Sequence, residues 1–418
     1  MNQEAIRRLD ALFGSQLCLL LTAHRRLTEA LGRRAPSAEP TGVVFIKLVE
    51  QGATVLASDA VRRAVLRVGR DRVFFLVFEE NRAILDLLDL VPPANVLAVR
   101  SASAAVFARD VAGALLRLRR ARVDTAVDLE FMTRAPAALA YLSGATRRVG
   151  LHRFGAEAPY RGDLMTHRVQ HNPFLHTSQA YAALVEALGC DPADTPMPKF
   201  VPSPVDDNVP RFVPRPDELA RVRALITEIA GRSPDGPLVV LNPNTGDLIP
   251  LRMWPASQFA ALGRMVVEAF PTATVVITGL ASEREGAEAV CRAIGSDRAI
   301  CVAGRTSLRD VVVLYTFADV LVASDSGPGH FASLTDIDIV VLFGPEAPQV
   351  FGPLGPRAHV HWGGLACSPC VNPYNHRSSP CTRNACMDVH TPAGVFSTVA
   401  ACLAARRPLD ALLRGGAA

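Results

Sequence analysis

Val320-Leu321-Val322-Ala323-Ser324-Asp325-Ser326-Gly327-Pro328-Gly329-His330, with the apolar run Ile337 to Gly344 behind it, is the stretch from which the fold is read. Val320 to Ser324 is short and mostly apolar, the pattern of a buried strand. It stops at Asp325, and Ser326-Gly327-Pro328-Gly329 turns the chain into the segment that begins at His330. An acid and a hydroxyl at the carboxyl end of a parallel strand stand where open α/β sheets take their ligands. The glycines let a diphosphate approach bare backbone N–H groups, and the helix start that follows favours its negative charge. A glycine-rich turn alone says little. With Asp325, His330 and the flanking strands, it points to a bound phosphate group.

The same strand–helix alternation runs outward from this stretch. Upstream we expect strands at Leu238–Leu241, Thr274–Ile277 and Ile300–Val302, separated by helices at Ser257–Phe270, Ser282–Ile294 and Ser307–Thr316. Ile339–Phe343 closes that series. An earlier series has strands at Val43–Ile46, Val73–Phe78, Val96–Val99 and Thr125–Leu129, with helices at Thr54–Val68, around Ala83–Leu90 and near Val106–Arg119. Repeated β-α-β-α order implies a parallel, doubly wound sheet in each half. Residues 196–216 hold seven prolines, an extended and semi-rigid linker. The expected organisation is therefore an N-terminal helix and linker (1–40), a first Rossmann-like domain (41–195), the linker (196–216), a second such domain (217–390) and a closing helix (391–418) that packs back on the first domain. Two sheets joined this way would face a central cleft, which suits a two-substrate transferase.

At 418 residues the chain is too long for one ordinary core, and two domains are the natural division. A net charge of +4, with arginines in local clusters and no interleaved aromatics, argues against a general nucleic-acid binder. Nine cysteines without a secretory signal indicate a reducing compartment, hence a cytoplasmic protein. No apolar run approaches the roughly 20 residues that span a bilayer. Residues 1–35 read instead as a basic helix with a leucine-rich middle, Leu17-Cys18-Leu19-Leu20-Leu21, set between Arg7-Arg8 and Arg25-Arg26 with Arg33-Arg34 beyond. Such a helix lies in the headgroup region of an anionic membrane, here the inner face of the cytoplasmic membrane, or packs on the protein's own body or a second subunit.

In the second series, Asn242-Pro243-Asn244-Thr245-Gly246-Asp247 follows a strand, and Arg252-Met253-Trp254-Pro255 leads into the next helix. A hydroxyl, a glycine and a cation at a sheet's carboxyl edge suit a diphosphate; the plainer reading of Arg252 is a solvated helix start. Thr278-Gly279-Leu280-Ala281-Ser282-Glu283 offers Ser282 as an N-cap. That puts Glu283 in the first turn, where an acid is favoured by the helix dipole and could equally accept a bond from a nucleotide. The order NPNTG…RMWP, ITGLASERE, CVAGRTSLRDVVVLYTFADVLVASDSGPGH and VVLFGPE resembles glycosyltransferase family 9, the ADP-heptose:lipopolysaccharide heptosyltransferases and their relatives. The resemblance runs from about Val43 to the C-terminal helix and leaves residues 1–40 uncovered. It implies the GT-B fold, an ADP-heptose-like nucleotide-sugar donor, a lipid-linked glycan acceptor such as lipopolysaccharide, and inversion at the anomeric carbon. Carried over by position, Thr245 and Arg252 match the hydroxyl and basic positions that hold the donor phosphates. Asp325, Ser326, Gly327 and His330 match the donor-site D-S-G-x-x-H motif, and Glu283 an acidic position near the nucleoside or sugar.

One departure bears on catalysis. The family's first strand is followed by a loop resembling R-L-S-S-L-G-D, whose aspartate is taken as the general base. Here the loop reads Lys47-Leu48-Val49-Glu50-Gln51-Gly52-Ala53, with alanine in the aspartate's place. Glu50 supplies a carboxylate from a shifted position, or the base is Asp128 or Glu130 at the end of strand Thr125–Leu129, which match a stretch near the acceptor. A third outcome is a chain that binds sugar nucleotides without transferring them. An oxidoreductase is excluded, because no G-x-G-x-x-G follows the first strand.

Cys367-x2-Cys370-x10-Cys381-x4-Cys386, with His361, His376 and His390 nearby, begins with zinc-ligand spacing and continues with a wider pair. A structural zinc, a disulfide-stapled loop and free packing thiols are the three readings. The transfer chemistry itself needs no cofactor. His152, His167, His171 and His176 lack a carboxylate or cysteine at ligand spacing, and are expected in a loop lining a polar cleft.

Overall fold

β1 (Val43–Ile46) is the centre of the first sheet, with β2 (Val73–Phe78) on one side and β4 (Thr125–Asp128) on the other. β3 (Val96–Val99), β5 (Arg147–Leu151) and β6 (His167–Val169) complete the order β3-β2-β1-β4-β5-β6, with every pairing parallel. Among the described residues, its α-helices are α1 (Gln3–Ala30), α2 (Gln51–Leu56), α3 (Ser58–Val68), α4 (Arg82–Leu88), α5 (Ala104–Arg120), α6 (Arg134–Leu142) and α7 (Thr177–Glu186). This computed structural model describes residues 3–31, 39–131, 133–155, 159–202, 209–246, 249–375 and 377–415. Arg33, Arg34, Pro36, Asp247, His376 and the middle of the proline-rich linker lie outside the described residues.

The second sheet repeats the plan. β7 (Leu238–Asn242), β8 (Thr274–Ile277), β9 (Ala299–Cys301), β10 (Val320–Ser324), β11 (Asp338–Phe343) and β12 (Ala358–Trp362) lie in the order β12-β11-β10-β7-β8-β9, again all parallel. Its helices are α8 (Pro216–Ala230), α9 (Ala256–Ala269), α10 (Arg284–Ile294), α11 (Leu308–Tyr315), α12 (Gly327–Ala332), α13 (Pro348–Phe351), α14 (Ala385–Asp388) and α15 (Pro392–Gly415). The chain divides into two units, residues 1–206 and 207–418, each built on one sheet. In both sheets the chain leaves its first strand to wind one way and returns to wind the other. Each therefore has a switch point, between β1 and β4 and between β7 and β10.

Four elements differ from the sequence reading. β5 and β6 were not anticipated, because Arg147, Arg148, His167 and Arg168 break any apolar pattern. Arg147, Arg148 and His167 are buried nonetheless, and Arg168 half-buried: Arg148 donates from Nε to the Leu164 carbonyl and from Nη1 to the Ala145 carbonyl, both at 2.6 Å. β12 escaped for the opposite reason, being an edge strand whose residues are half-exposed to exposed. The segment Thr54–Val68, expected as one helix, is two; α2 starts three residues earlier, immediately after Glu50, and hands over to α3 at Ala57.

The closing helix packs within the second unit. Val395, Val399, Cys402 and Leu403 belong to the core of the second unit, with Trp254, Phe259 and Val340. α15 packs along α9 and over β10 and β11 of its own unit. Its spacing of small and β-branched residues suits a face against a parallel helix and sheet, and burial there accounts for its apolar stripe.

The N-terminal helix α1 docks on its own unit along α6 through one narrow face. Cys18 is buried, Asp10 accepts from the Arg134 and Ala135 backbone N–H groups, and Arg25 pairs with Asp163 at 2.5 Å. Gly162 is the tightest point of this contact. A Cβ there would lie 2.8 Å from the Cys18 carbonyl oxygen and 2.8 Å from Thr22 Oγ1, and its φ of +73° already favours glycine. Gly162→Ala should cost about 2–3 kcal/mol in denaturant unfolding. Gly231→Ala, at φ +67° with nothing within 4 Å of the added methyl, should cost about 1 kcal/mol. Equal costs would mean that the docking of α1 contributes nothing to stability.

Candidate functional site

In the second unit, β7 and β10 diverge at the switch point and their carboxyl ends carry the predicted donor residues. The loop after β7 is tied to the loop after β8: Asn242 Nδ2 donates to Thr278 Oγ1 at 3.1 Å, and Asn244 Nδ2 to the Thr278 carbonyl at 3.4 Å. Thr245 is buried at the end of this ladder, ahead of Gly246 at φ +66°. A Cβ on Gly279 would come within 2.7 Å of Asn244 Nδ2, so glycine there lets the two loops touch. A further tie joins the strand ends. The Trp254 N–H donates to Ser324 Oγ at 3.2 Å, while its indole Nε1 donates to the His390 carbonyl at 2.8 Å.

Arg252, on the single turn Pro250–Arg252, points into this ring of loops. Its Nη1 lies 3.1 Å from Glu346 Oε2 and 3.8 Å from Asp325 Oδ2, and all three side chains are nearly or fully buried. Burial raises the Asp325 carboxyl above its usual range, opposed by Arg252. Glu346 is pushed up to about 8, by burial first and by the neighbouring Asp325 second. At neutral pH Glu346 therefore holds its proton. Among the described residues, Arg252 Nε is buried with no hydrogen-bond partner. An unspent N–H in a dry site is costly unless a ligand takes it. Glu346 lies within the quoted VVLFGPE, yet no role was read for it; an acid after a Gly-Pro turn carries no local signal of burial.

The remaining donor-side residues are placed as follows. Ser326 is buried, and its Oγ donates to the Ser324 carbonyl at 2.9 Å. Gly327 opens α12, and His330 is buried within it. Glu283 does not follow a Ser282 cap. Its own carboxylate accepts from the Leu280 N–H at 2.7 Å and closes a short 3₁₀ turn before α10. That is a capping role.

The first unit's switch point holds the acceptor-side candidates, and here the structure separates three carboxylates. Asp128 is fully buried and hydrogen-bonded to Arg161, whose other nitrogens are held by the Leu151 and Thr133 carbonyls. Glu130 is also buried: Oε1 accepts from the Leu48 and Val49 N–H groups at 2.7 and 3.1 Å, and Oε2 from Lys47. Both shape the loop. Glu50 remains partly open. It sits at φ +69°, a left-handed conformation that is strained for glutamate, as the residue that starts α2. Lys47 Nζ, wholly buried, lies 3.2 Å from both Glu50 Oε2 and Glu130 Oε2. Ala53, at the family aspartate's position, is half-buried on α2. Lys47, Asn81 and Arg161 were not singled out from sequence, and each is part of this clamp; Asn81 Nδ2 donates to the Leu48 carbonyl at 2.8 Å.

The histidines of the polar stretch do separate things. His176 caps α7 by accepting from the Ser178 N–H, His167 bonds Thr166, and His171 stands edge-on to Phe131. Burial pushes His167 and His171 down to about 4, so both are neutral at ordinary pH. Among the described residues, the cysteine block does not bring three ligand atoms within 4.8 Å of one another. Cys370 accepts from Ser379, while Cys381 and Cys386 donate to Arg383 and Asn384 oxygens; all four thiols are free. Among the described residues, the three ligand-type groups that lie within 4.8 Å of one another are Asp338, His359 and Cys402. Asp338 is already neutralised there by Arg406 at 2.8 Å and Arg357 at 3.5 Å. Cys367, Cys370, Cys381 and Cys386 are thus free thiols among the described residues, Cys367 and Cys381 exposed and Cys386 buried.

Glycosyltransferase family 9 (heptosyltransferase) matches residues 115–378, well over half of the chain. The chain belongs to this family. Relatives are similar over shorter stretches. Lipopolysaccharide heptosyltransferase 2 of Salmonella typhimurium is 31% identical over 132 residues, 31% of this chain and 37% of that protein. Lipopolysaccharide heptosyltransferase 1 of Pseudomonas aeruginosa is 38% identical over 94 residues, 22% of this chain and 25% of that protein. The matched stretches thus span less than half of these curated relatives. The solved structure of an E. coli ADP-heptose lipopolysaccharide heptosyltransferase II superposes with a TM-score of 0.66 at 19% identity, covering 88% of this chain and 99% of that one. A family 9 glycosyltransferase from Veillonella parvula does so at 0.68 and 15%, with coverage of 88% and 99%. The fold is GT-B, α/β with two Rossmann-like sheets.

Proposed function

We propose that this family 9 chain is an inverting glycosyltransferase, moving a heptose-like sugar from a nucleoside-diphosphate donor such as ADP-heptose to a lipopolysaccharide or related lipid-linked glycan. The buried Arg252, with its unspent Nε at the second sheet's switch point, carries this reading. Arg252 and the Thr245 hydroxyl hold the donor diphosphate and meet the charge that grows on it as the glycosidic bond breaks. Glu50 takes the proton from the acceptor hydroxyl, which attacks the anomeric carbon from the face opposite the leaving diphosphate. Lys47 and Glu130 position Glu50, and the Asp128–Arg161 pair holds the strand end beneath them. A lipid-linked acceptor places the reaction at the inner surface of the cytoplasmic membrane.

The test is nucleoside diphosphate release from a panel of nucleotide sugars, with membrane extract as acceptor. Acceptor-dependent release from one donor is the expected result, and no release from any donor would remove the reading. Alanine at position 53 favours a second reading, a family member that binds sugar nucleotides or glycans without transferring them. Donor binding with no turnover across a broad acceptor panel would establish it.

The state of Glu346 gives the donor site a pH dependence. With its carboxyl pushed up to about 8, Glu346 is neutral at pH 7 and gains a negative charge as pH rises through 8 to 9. That charge faces the same guanidinium that the anionic donor needs. Donor KM should therefore rise about tenfold between pH 7 and pH 9, roughly 1.4 kcal/mol. Glu346→Gln, neutral at every pH, should flatten the profile; an unchanged profile in that variant would assign the titration elsewhere.

A further inference from the structure

α1 carries two faces, and the structure uses only one. The docked face runs through Asp10, Gly14, Cys18, Thr22 and Arg25. On the opposite side Leu12 and Phe13 are each 63% exposed, Leu20 69%, Leu27 61% and Leu31, just past the helix end, 69%. Leu17 and Leu19 widen this strip on its two flanks. A row of large apolar side chains along a helix about 42 Å long is not a stable water-facing surface. Among the described residues, no helix is long and apolar enough to cross a membrane.

Charge selects what covers it. The two acids whose side chains are described, Asp10 and Glu29, are held by Arg134 and Arg25 on or beside the docked side. Among the described residues, the open face shows no carboxylate and its charged border is Arg26; Arg7, Arg8, Arg33 and Arg34 adjoin in the sequence. Beside α1 lies a cavity of about 270 Å³ lined by Arg26, Arg153 and Arg168 with His152, against one acid, Asp163. Asp163 is itself shared by Arg25, Arg26 and Arg168. A second copy of the chain would bring this basic border against its own kind. An anionic bilayer would not.

We propose that α1 is a monotopic membrane anchor, its leucine face seated among the acyl chains and the Arg26–Arg153–Arg168 cavity on anionic headgroups. The inference deepens the proposed function by naming the surface on which a lipid-linked acceptor is met, but its test reads binding and not turnover. Apolar burial holds the helix in the interface while the arginines set its lipid preference.

The experiment is vesicle flotation of the full chain, using phosphatidylcholine alone and phosphatidylcholine with about 30% phosphatidylglycerol. The wild type should partition at least tenfold more strongly onto the anionic vesicles, with the preference lost in high salt. Leu20→Glu/Leu27→Glu should cut that partition at least tenfold without lowering Tm, because both side chains are exposed. Arg26→Glu/Arg153→Glu should abolish the lipid preference. Transfer to a water-soluble acceptor fragment should be unchanged in both, so loss of the transferase reading and loss of the anchor are told apart. Partition equal in wild type and the leucine variant would overturn the proposal. So would a micromolar dimer that the leucine variant dissolves, which would give the face to a second copy.

Discussion

Glu50→Gln lowers kcat by about 10²- to 10⁴-fold and leaves donor KM within a few-fold of wild type, the expected loss for one positioned general base. The size of the effect follows from how the neighbouring carboxylates are spent. Asp128 is sealed behind Arg161, and both oxygens of Glu130 are occupied by Lys47 and two backbone N–H groups. Neither can accept a proton from an acceptor hydroxyl without breaking the loop that carries it. Glutamine at position 50 keeps the bond from Lys47 and the left-handed turn, so the fold should be kept while proton acceptance is lost. Asp128→Asn should act differently, lowering Tm with at most a proportional effect on kcat. Single-turnover rates and thermal melting of the two variants separate these outcomes. A kcat indifferent to Glu50 would sink its role as the base.

Arg252→Ala has the second large effect. It removes the donor's proposed cation and leaves Asp325 and Glu346 facing each other in a buried site. Donor KM should rise about 100-fold, roughly 2.7 kcal/mol. Stripping the partner from buried carboxylates should also cost about 3–5 kcal/mol of stability. Arg252→Ala/Glu346→Gln tests the division: because Glu346 already holds its proton at pH 7, the glutamine should recover stability only as the pH rises past 8, and none of the donor affinity at any pH. Arg252→Lys keeps the charge without the planar fork and should fall between. Donor affinity unaltered in Arg252→Ala would remove Arg252 from the donor site.

Much of the fold was legible because buried parallel strands are apolar throughout. β1, β2, β3, β7, β8, β10 and β11 each declared themselves as short apolar runs, and the glycine turn after β10 marked a ligand edge. β5 and β6 did not, because arginine and histidine sit inside them; only the carbonyls that receive those side chains make such strands possible. The proposed donor residues Thr245, Arg252, Asp325, Ser326, Gly327 and His330 were read as a pattern of residue types at strand ends. Glu346 was not, because its partner Arg252 is distant in sequence. The three base candidates could not be ranked from sequence, since burial and hydrogen-bond commitment decide between carboxylates of the same chemistry.

The sequence by itself determined two parallel sheets, a proline-rich join between their units and the strand ends that carry the proposed functional groups. Periodicity and turn chemistry are local and survive reading one residue after another. Only the tertiary structure decided which acid stays open, which is clamped and which keeps its proton, because those states depend on solvent exclusion and on distant charges. It also decided that α15 completes the second unit's core, and that α1 lends one face to the first unit while its leucine face stays bare.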